Sequence, residues 1–225
     1  MEKALVTICE GREMSEVFEL SSVFMKRHAE RFGMDFVILS GNYRDWGPVW
    51  QKLQIYNLLD WYNFIVYLDA DCLISPECPD ISNLVPEGYF GAVDEHLFFD
   101  RWDELKEGCR LLGINPEGWS GYYFNAGVMA VRTCHKDIFK APKEKLNTAF
   151  QEQTYFNAKM IELGIPLMEM GWKYNCLSSI FNWPGVDKSQ AYIIHFAGVH
   201  PIKERLNMMT DFIRNEWKGF GPEDG

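Results

Sequence analysis

The stretch FIVYLDAD, residues 64–71, decides the fold. Its first five residues are apolar without interruption, which is typical of a strand buried on both faces of a parallel sheet. Two carboxylates, Asp69 and Asp71, follow at the point where this strand ends. Ligands of open α/β sheets bind beyond the carboxyl ends of the strands. The stretch therefore predicts a buried strand that delivers Asp69 and Asp71 to a ligand site.

Strands and helices alternate on both sides of this strand. Ser15 is a candidate N-cap for the first helix, whose apolar face extends to His28. The order βαβαβ up to residue 68 predicts a doubly wound layer, so we expect an α/β fold with a mostly parallel central sheet flanked by helices. The predicted strands are residues 4–9, 35–39, 64–68, 89–93, 123–131 and 191–195, and the later predicted helices are residues 49–61, 103–112, 152–163 and 202–217.

Length and charge narrow the class of protein. A chain of 225 residues fits one domain, residues 1–225, in which residues 219–225 are expected to be a flexible tail. A formal net charge of -10 argues against binding to nucleic acid, which needs clustered basic residues. A bound cation would still allow a phosphate-bearing small molecule.

The cysteine and hydropathy patterns favour a cytoplasmic protein. The six cysteines have no paired zinc-ligand spacing, the chain starts without signal-peptide features, and no apolar stretch is long enough to span a bilayer. Aromatic residues make up 15% of the chain and concentrate in three predicted loops, residues 98–102, 119–123 and 181–184. These loops are candidates for contacts with a substrate or for the subunit contact of a homodimer.

A second strand end carries another metal-competent side chain. Residues 193–198, Ile-Ile-His-Phe-Ala-Gly, place His195 after an apolar run and before a glycine that lets backbone approach a ligand. Carboxylates suit hard cations such as Mg²⁺ or Mn²⁺, and such a cation can bridge a diphosphate. Asp69, Asp71 and His195 are therefore candidate ligands of one cation.

Three alternatives stay open for these residues. One aspartate can cap a turn while the other is solvated. A lone histidine is often a hydrogen-bonded structural residue. An Asp-x-Asp after an apolar strand also occurs in haloacid-dehalogenase-like phosphatases, although their pair follows the first strand and this pair follows the third.

Six segments in one order resemble the glycogenin-like retaining glycosyltransferases (family 8), which have a GT-A fold. The likeness runs from about residue 4 to residue 203. It rests on Lys52-Leu53, Asp69-Ala70-Asp71, Phe124-Asn125-Ala126-Gly127-Val128, Glu152-Gln153, Tyr174-Asn175-Cys176-Leu177-Ser178-Ser179 and His195-Phe196-Ala197-Gly198.

The resemblance implies roles for individual residues. Asp69, Asp71 and His195 would bind Mn²⁺, with Mg²⁺ as the alternative, and the cation would hold the diphosphate of a nucleotide-sugar donor such as UDP-glucose or UDP-galactose. Lys52 would stabilise charge near Asp69 or the donor, unless it is a solvated helix lysine. The remaining donor-side residues divide into Asp94 and Glu152 for sugar hydroxyls, Asn125 and Gln153 for the reacting face, and Cys9, Ala70 and Gly198 as further donor contacts.

Three departures from the family pattern affect these roles. The family's lysine motif after His-x-x-Gly is replaced by Val-His-Pro-Ile-Lys, so His200 and Lys203 are candidates for phosphate binding. Residues 10–14 differ from the family's base pocket, and Glu152 replaces the usual aspartate. We expect a hexose transfer to a hydroxyl acceptor with retained anomeric configuration. The alternatives are inversion with Glu152 as general base, or a nucleotide-sugar-binding protein without turnover.

Overall fold

The computed structural model describes residues 2–41, 43–117, 119 and 121–217. The expected tail, residues 219–225, lies outside this part of the chain. Gly118, which precedes the predicted loop 119–123, and Ser120, within that loop, also lie outside it. The strands are β1 (Lys3–Ile8), β2 (Asp35–Leu39), β3 (Phe64–Asp69), β4 (Cys72–Ile74), β5 (Phe90–Ala92), β6 (Val128–Arg132), β7 (Leu167–Glu169), β8 (Cys176–Leu177) and β9 (Ile193–His195). The helices are α1 (Arg12–Arg31), α2 (Ile55–Leu58), α3 (Trp102–Leu112), α4 (Gln151–Leu163) and α5 (Ile202–Glu216).

A six-stranded sheet in the order β2-β1-β3-β6-β5-β7 forms the centre of the fold. Strand β1 pairs in parallel with both β2 and β3, and β5 pairs in parallel with β7. Only β6 runs against its neighbours β3 and β5. The prediction of a mostly parallel α/β sheet flanked by helices is therefore confirmed.

Strand β3 is buried on both faces, as its apolar run predicts. Phe64, Val66 and Leu68 pack in one apolar cluster with residues of α1 and α5. Ile65 and Tyr67 point to the other face and pack in a second cluster with residues of α4. Because both faces of the sheet are covered, the strand end at Asp69 is where the chain emerges toward a ligand.

A second sheet, β4-β9-β8, brings distant parts of the chain to that strand end. Strand β4 starts three residues after Asp69 and pairs antiparallel with β9, with Cys72 opposite His195. Strand β8 pairs in parallel with β9 on its other side. The backbone N–H of Phe196 donates to the carbonyl of Asp71 at 3.1 Å. The short connection between the two sheets thus carries Asp71 to the end of β9.

Several element predictions are corrected by the structure. Helix α1 begins at Arg12, after Gly11 with φ of 88°, and Ser15 lies inside its first turn, where its hydroxyl donates to the carbonyl of Arg12. The predicted helix 49–61 is mainly a 3₁₀ helix, Pro48–Gln54, continued by the short α2. The predicted strand 123–131 shrinks to β6 because the backbone N–H groups before it donate to side chains.

Among the described residues, no helix combines the length and the apolar character that crossing a membrane requires.

Candidate active site

A pocket of ≈ 690 Å³ opens at the carboxyl ends of β1 and β3, beside the second sheet. Ten of the residues predicted from sequence line it, namely Lys52, Asp69, Ala70, Asp71, Asn125, Glu152, Gln153, His195, Gly198 and His200. The structure therefore gathers most of the predicted site from five separate segments of the chain.

The imidazole of His195 lies between the two aspartates. Its Nε2 atom is 3.4 Å from Oδ1 of Asp71 and 3.7 Å from Oδ2 of Asp69. Asp71 and His195 are buried, whereas the Asp69 side chain is 27% exposed and faces the pocket. Two carboxylates and one imidazole nitrogen thus converge on one point at the pocket wall.

Gly127 makes this convergence possible. A Cβ atom at this position would clash with Cε1 of His195 and would lie only 2.7 Å from its Nδ1 and 2.9 Å from Oδ2 of Asp69. The carbonyl of Gly127 also accepts the backbone N–H of Asp69 at 2.8 Å. The glycine in the Phe-Asn-Ala-Gly-Val segment is therefore required by packing against the imidazole and the carboxylate.

Asp71 has a cationic partner that the sequence did not reveal. Nη1 of Arg205, in α5, lies 2.9 Å from Oδ2 of Asp71. Burial favours a higher pKa for Asp71, but the neighbouring His195 and Arg205 outweigh it and lower the pKa to about 2. Arg205 also donates to the carbonyl of Val199, which fixes the guanidinium at the pocket. Nothing in the helical pattern of residues 202–217 singles out this arginine.

Lys52 bridges Asp69 and Glu152. Its Nζ atom lies 3.1 Å from Oδ1 of Asp69 and 3.0 Å from Oε1 of Glu152. Burial alone would lower the pKa of Lys52, but the two carboxylates reverse this and raise it above its ordinary value. Tyr67 donates its hydroxyl to Oδ1 of Asp69 at 2.6 Å. The alternative of a solvated helix lysine is wrong, since Lys52 is buried.

Glu95 is a second pocket residue that the sequence analysis missed. Its carboxylate accepts from Nε2 of Gln153 at 2.8 Å and from Nη2 of Arg101 at 2.7 Å. Gln153 in turn accepts from the amide of Asn125 at 3.2 Å. The candidate sugar-contacting residues Gln153 and Asn125 are therefore held by an acidic residue one position beyond the predicted Asp94.

Three predicted site residues do not line the pocket. Oδ1 of Asp94 accepts from the backbone N–H groups of His96 and Tyr123, so this oxygen serves the local backbone. Cys9 follows β1 without joining the pocket lining, and burial raises the pKa of its thiol. Lys203 is exposed on the first turn of α5. Of the two candidates for phosphate binding, only His200 is at the pocket.

Cys72 lies close to the candidate metal ligands. Ligand atoms of Asp71, Cys72 and His195 are all within 4.8 Å of one another. The Cys72 thiol contacts the carbonyl of Gly127 at 3.8 Å, and burial raises its pKa well above the ordinary value. A cysteine sulfur is a soft ligand, whereas hard cations such as Mn²⁺ and Mg²⁺ favour carboxylate oxygens. Asp69, Asp71 and His195 therefore form the better donor set for a hard cation.

No protein-family model matches the chain, and no curated protein matches its sequence. Its fold matches solved glycosyltransferases. A glycosyltransferase involved in the glycosylation of the major capsid of PBCV-1 superposes with a TM-score of 0.63 and 14% identity, over 94% of this chain and 100% of that chain. The galactosyltransferase LgtC, solved with donor and acceptor sugar analogs, superposes with a TM-score of 0.52 and 13% identity, over 96% of this chain and 99% of that chain. The fold is the GT-A glycosyltransferase fold.

The bifunctional glycosyltransferase WbbM, solved in its apo form, has the same fold at a TM-score of 0.61 and 14% identity. The match covers 99% of this chain and 50% of that chain, so the chain spans half of WbbM. At these identities the likeness establishes the GT-A fold. In that fold the pocket described above occupies the carboxyl edge of the parallel strands, where open α/β sheets bind ligands.

Proposed function

We propose that the chain is a metal-dependent glycosyltransferase that moves a hexose from a nucleotide diphosphate sugar to a hydroxyl acceptor. The observation that carries this proposal is the convergence of Asp69, Asp71 and His195 at the pocket wall of a GT-A fold. A UDP-sugar such as UDP-glucose or UDP-galactose is the favoured donor class, and the sequence motifs favour the glycogenin-like family 8.

The donor set fits Mn²⁺ or Mg²⁺. Carboxylate oxygens and a neutral imidazole nitrogen are suitable ligands for these ions, and Gly127 leaves the space that the imidazole and the carboxylate need. Asp69, Asp71 and His195 would hold the cation, which would supply positive charge to the donor diphosphate as it leaves.

Two cationic side chains of the protein, Lys52 and Arg205, lie on either side of the candidate metal ligands. Lys52 lies against Asp69 and Glu152, and Arg205 lies against Asp71 and reaches the pocket. We propose that Arg205 and His200 orient the donor phosphates, because both line the pocket whereas Lys203 does not. Positive groups fixed beside a leaving diphosphate stabilise the charge that develops on it.

Glu152, Gln153 and Asn125 form the wall that would face the sugar. Sites that pair buried amides and carboxylates with hydroxyl groups discriminate strongly against sugars that lack those groups. The ion pair between Glu152 and Lys52 favours retention over inversion, since proton uptake by a general base at Glu152 would break this pair. We therefore propose attack by the acceptor hydroxyl from the face on which the diphosphate leaves.

One observation favours a second function, a nucleotide-sugar-binding protein without turnover. The guanidinium of Arg205 already pairs with an oxygen of Asp71, and the family's lysine motif is replaced. The phosphatase alternative loses its support, because Asp69 ends the third strand of a GT-A fold.

Release of nucleoside diphosphate from a panel of sugar nucleotides, with and without Mn²⁺, tests the proposal. We expect release from at least one UDP-sugar only with the metal present. Binding of a donor, measured by thermal shift, without any release would establish the non-catalytic alternative. Proton NMR of the product decides the anomeric outcome, and an inverted product would overturn the retaining assignment.

Asp71→Asn is the sharpest variant for the same assay. It keeps the shape of the side chain but removes a ligand charge, so we expect turnover to fall at least about 100-fold. Asp80→Asn is the matched control, because Asp80 also pairs with a cation, Lys3, at 3.1 Å but lies outside the pocket. Normal turnover in Asp71→Asn would remove the metal assignment.

A further inference from the structure

A chain of hydrogen bonds connects the sugar-facing wall of the pocket to the candidate metal ligands. It runs from Glu95 through Gln153, Asn125 and Asn175 to His195. Asn175 is almost completely buried and joins the two halves of this hydrogen-bond series. Its Nδ2 donates to Oδ1 of Asn125 at 3.0 Å, and its Oδ1 lies 3.0 Å from Nδ1 of His195.

Neighbouring groups that can only donate or only accept fix the direction of these hydrogen bonds. The N–H of Ala126 donates to Oε1 of Gln153 at 3.1 Å, and the N–H of Gly127 donates to Oδ1 of Asn125 at 3.0 Å. A backbone N–H can only donate, so these two atoms must be amide oxygens. The carboxylate of Glu95 can only accept, so the Gln153 atom that faces it must be the amide nitrogen.

The same direction carries over to Asn175 and His195. Because Oδ1 of Asn125 is an acceptor, the Asn175 atom that faces it must be Nδ2. Oδ1 of Asn175 is then the atom beside the imidazole, and it accepts the Nδ1–H of His195. In neutral His195 this leaves the lone pair of Nε2 directed toward Asp71 and Asp69, at 3.4 Å and 3.7 Å.

We propose that Asn175 is a positioning residue that holds His195 in the Nδ1-protonated tautomer, with Nε2 available to a metal ion. Asn175 does not itself line the pocket, and it acts through the imidazole of His195. The metal part of this inference rests on the proposed function, whereas the tautomer part does not. Groups that hydrogen-bond a metal-ligating histidine fix its tautomer and orientation and commonly change metal affinity by about 10–100-fold.

Two substitutions separate positioning from packing. Asn175→Leu removes the acceptor for the His195 Nδ1–H. Asn175→Asp keeps that acceptor, because an aspartate oxygen can occupy the place of Oδ1 whether the carboxyl group is ionised or protonated. The aspartate is also expected to lower the free energy of unfolding, since the site is buried and its other neighbour is the oxygen of Asn125.

Mn²⁺ binding to the protein alone, measured by isothermal titration calorimetry, gives the first readout. We expect Asn175→Leu to weaken Mn²⁺ binding about 10–100-fold and Asn175→Asp to recover most of this loss. Thermal melts of the same samples are expected to show that Asn175→Asp is destabilised although its metal affinity is preserved. Equal losses of affinity in both variants, in step with their melting temperatures, would overturn the proposal.

Side-chain ¹H–¹⁵N correlation spectra of histidine in the metal-free protein give the second readout. We expect Nδ1 of His195 to carry a proton in the wild type, and Asn175→Leu to populate in part a ring that is protonated at Nε2 only. A wild-type His195 without a proton on Nδ1 would overturn the proposal. If the wild type binds no Mn²⁺, the metal assignment fails and these spectra alone decide the role of Asn175. If Asn175→Leu does not fold, the wild-type spectrum and Asn175→Asp decide it.

Asn157 provides the matched control. It is buried to the same extent as Asn175, and its side chain makes three hydrogen bonds where that of Asn175 makes two, but its partners are the backbones of Phe124 and Gln153. We expect Asn157→Asp to lower stability without changing the tautomer of His195. A change of tautomer in this control would mean that any buried substitution near the pocket disturbs the imidazole, which would also overturn the proposal.

Discussion

Histidines are buried in this protein in two different ways, in the apolar clusters and at the pocket. His28 and His135 are 4% and 1% exposed, and His195 is 3% exposed, so burial does not distinguish them. The pKa of His28 and of His135 is lowered to about 4, chiefly because burial disfavours the charged ring. His195 instead faces Asn175 on one side and two aspartates on the other.

The same difference extends to the charged residues around these rings. Asp69, Asp71 and Glu152 gather at the pocket, and among the described lysines and arginines their ion-pair partners are Lys52 and Arg205. Three carboxylates thus share two cations, which leaves the group acidic. The apolar clusters exclude charge, whereas the pocket holds charges in fixed positions. Fixed charges at a pocket are typical of sites that bind or transform ligands.

The largest expected effect comes from removing a charge on the pocket side. Lys52→Met leaves Asp69 and Glu152 without their shared cation, so we expect the free energy of unfolding to fall by about 3–5 kcal/mol in metal-free buffer. Urea denaturation measures this change. Lys3→Met is the control, because Lys3 pairs with Asp80 at 3.1 Å but is partly exposed, and its loss is expected to cost about 1 kcal/mol or less.

Equal losses in Lys52→Met and Lys3→Met would contradict the comparison. Such a result would mean that water screens the pocket cluster as effectively as it screens a surface pair. Addition of Mn²⁺ sharpens the test, since a cation bound at Asp69 is expected to restore stability in Lys52→Met more than in the wild type.

The fold was predictable where long apolar runs carry the information. Strand β2 was predicted with its observed bounds, and β3 was predicted to one residue, because each is a run of apolar residues in a parallel sheet. Strands β4, β7 and β8 have two or three residues and were missed, whereas β5 and β9, of three residues each, were predicted because they lie within the longer stretches 89–93 and 191–195. These short strands form the second sheet and one edge of the first, which depend on tertiary contacts.

The candidate site was predictable in its strand-end residues and not in their partners. Asp69, Asp71 and His195 each lie within two residues of a strand end, which is a local signal. Their surroundings depend on contacts between distant segments, such as Arg205 with Asp71 and Asn175 with Asn125. Asp94 and Glu95 are adjacent in sequence, but only Glu95 lines the pocket. The backbone path after the end of β5 decides which of the two reaches it.

A smaller effect is expected from adding one methyl group, either at the pocket or in the apolar clusters. Gly127→Ala places a Cβ against His195 and Asp69, so we expect displacement of the imidazole and a loss of Mn²⁺ affinity and turnover of about 100-fold. Gly91→Ala places a Cβ against Val85 and 3.0 Å from the Cβ of Ala130, inside the apolar packing.

Gly91→Ala is therefore the control for crowding without a change in the site. We expect it to lower stability by about 1–3 kcal/mol while turnover per folded molecule stays unchanged. Calorimetric titration with Mn²⁺ and a diphosphate-release assay on both variants measure the difference. Wild-type metal affinity in Gly127→Ala would show that His195 is not confined as the structure describes.

The smallest effect is expected from acid, and it arises in the apolar packing. The pKa of His28 is about 4 in the folded protein and 6.5 when the ring is not buried, as in the unfolded chain. Between these pH values the unfolded chain binds a proton at His28 that the folded chain does not. Stability is therefore lost as the pH falls from 7 to 5, by about 2 kcal/mol for this ring. Urea denaturation at both pH values is expected to show a loss smaller by that amount in His28→Leu, while His135 contributes equally to both proteins. The same loss in wild type and variant would mean that His28 accepts its proton without unfolding, and that the apolar clusters tolerate charge as the pocket does.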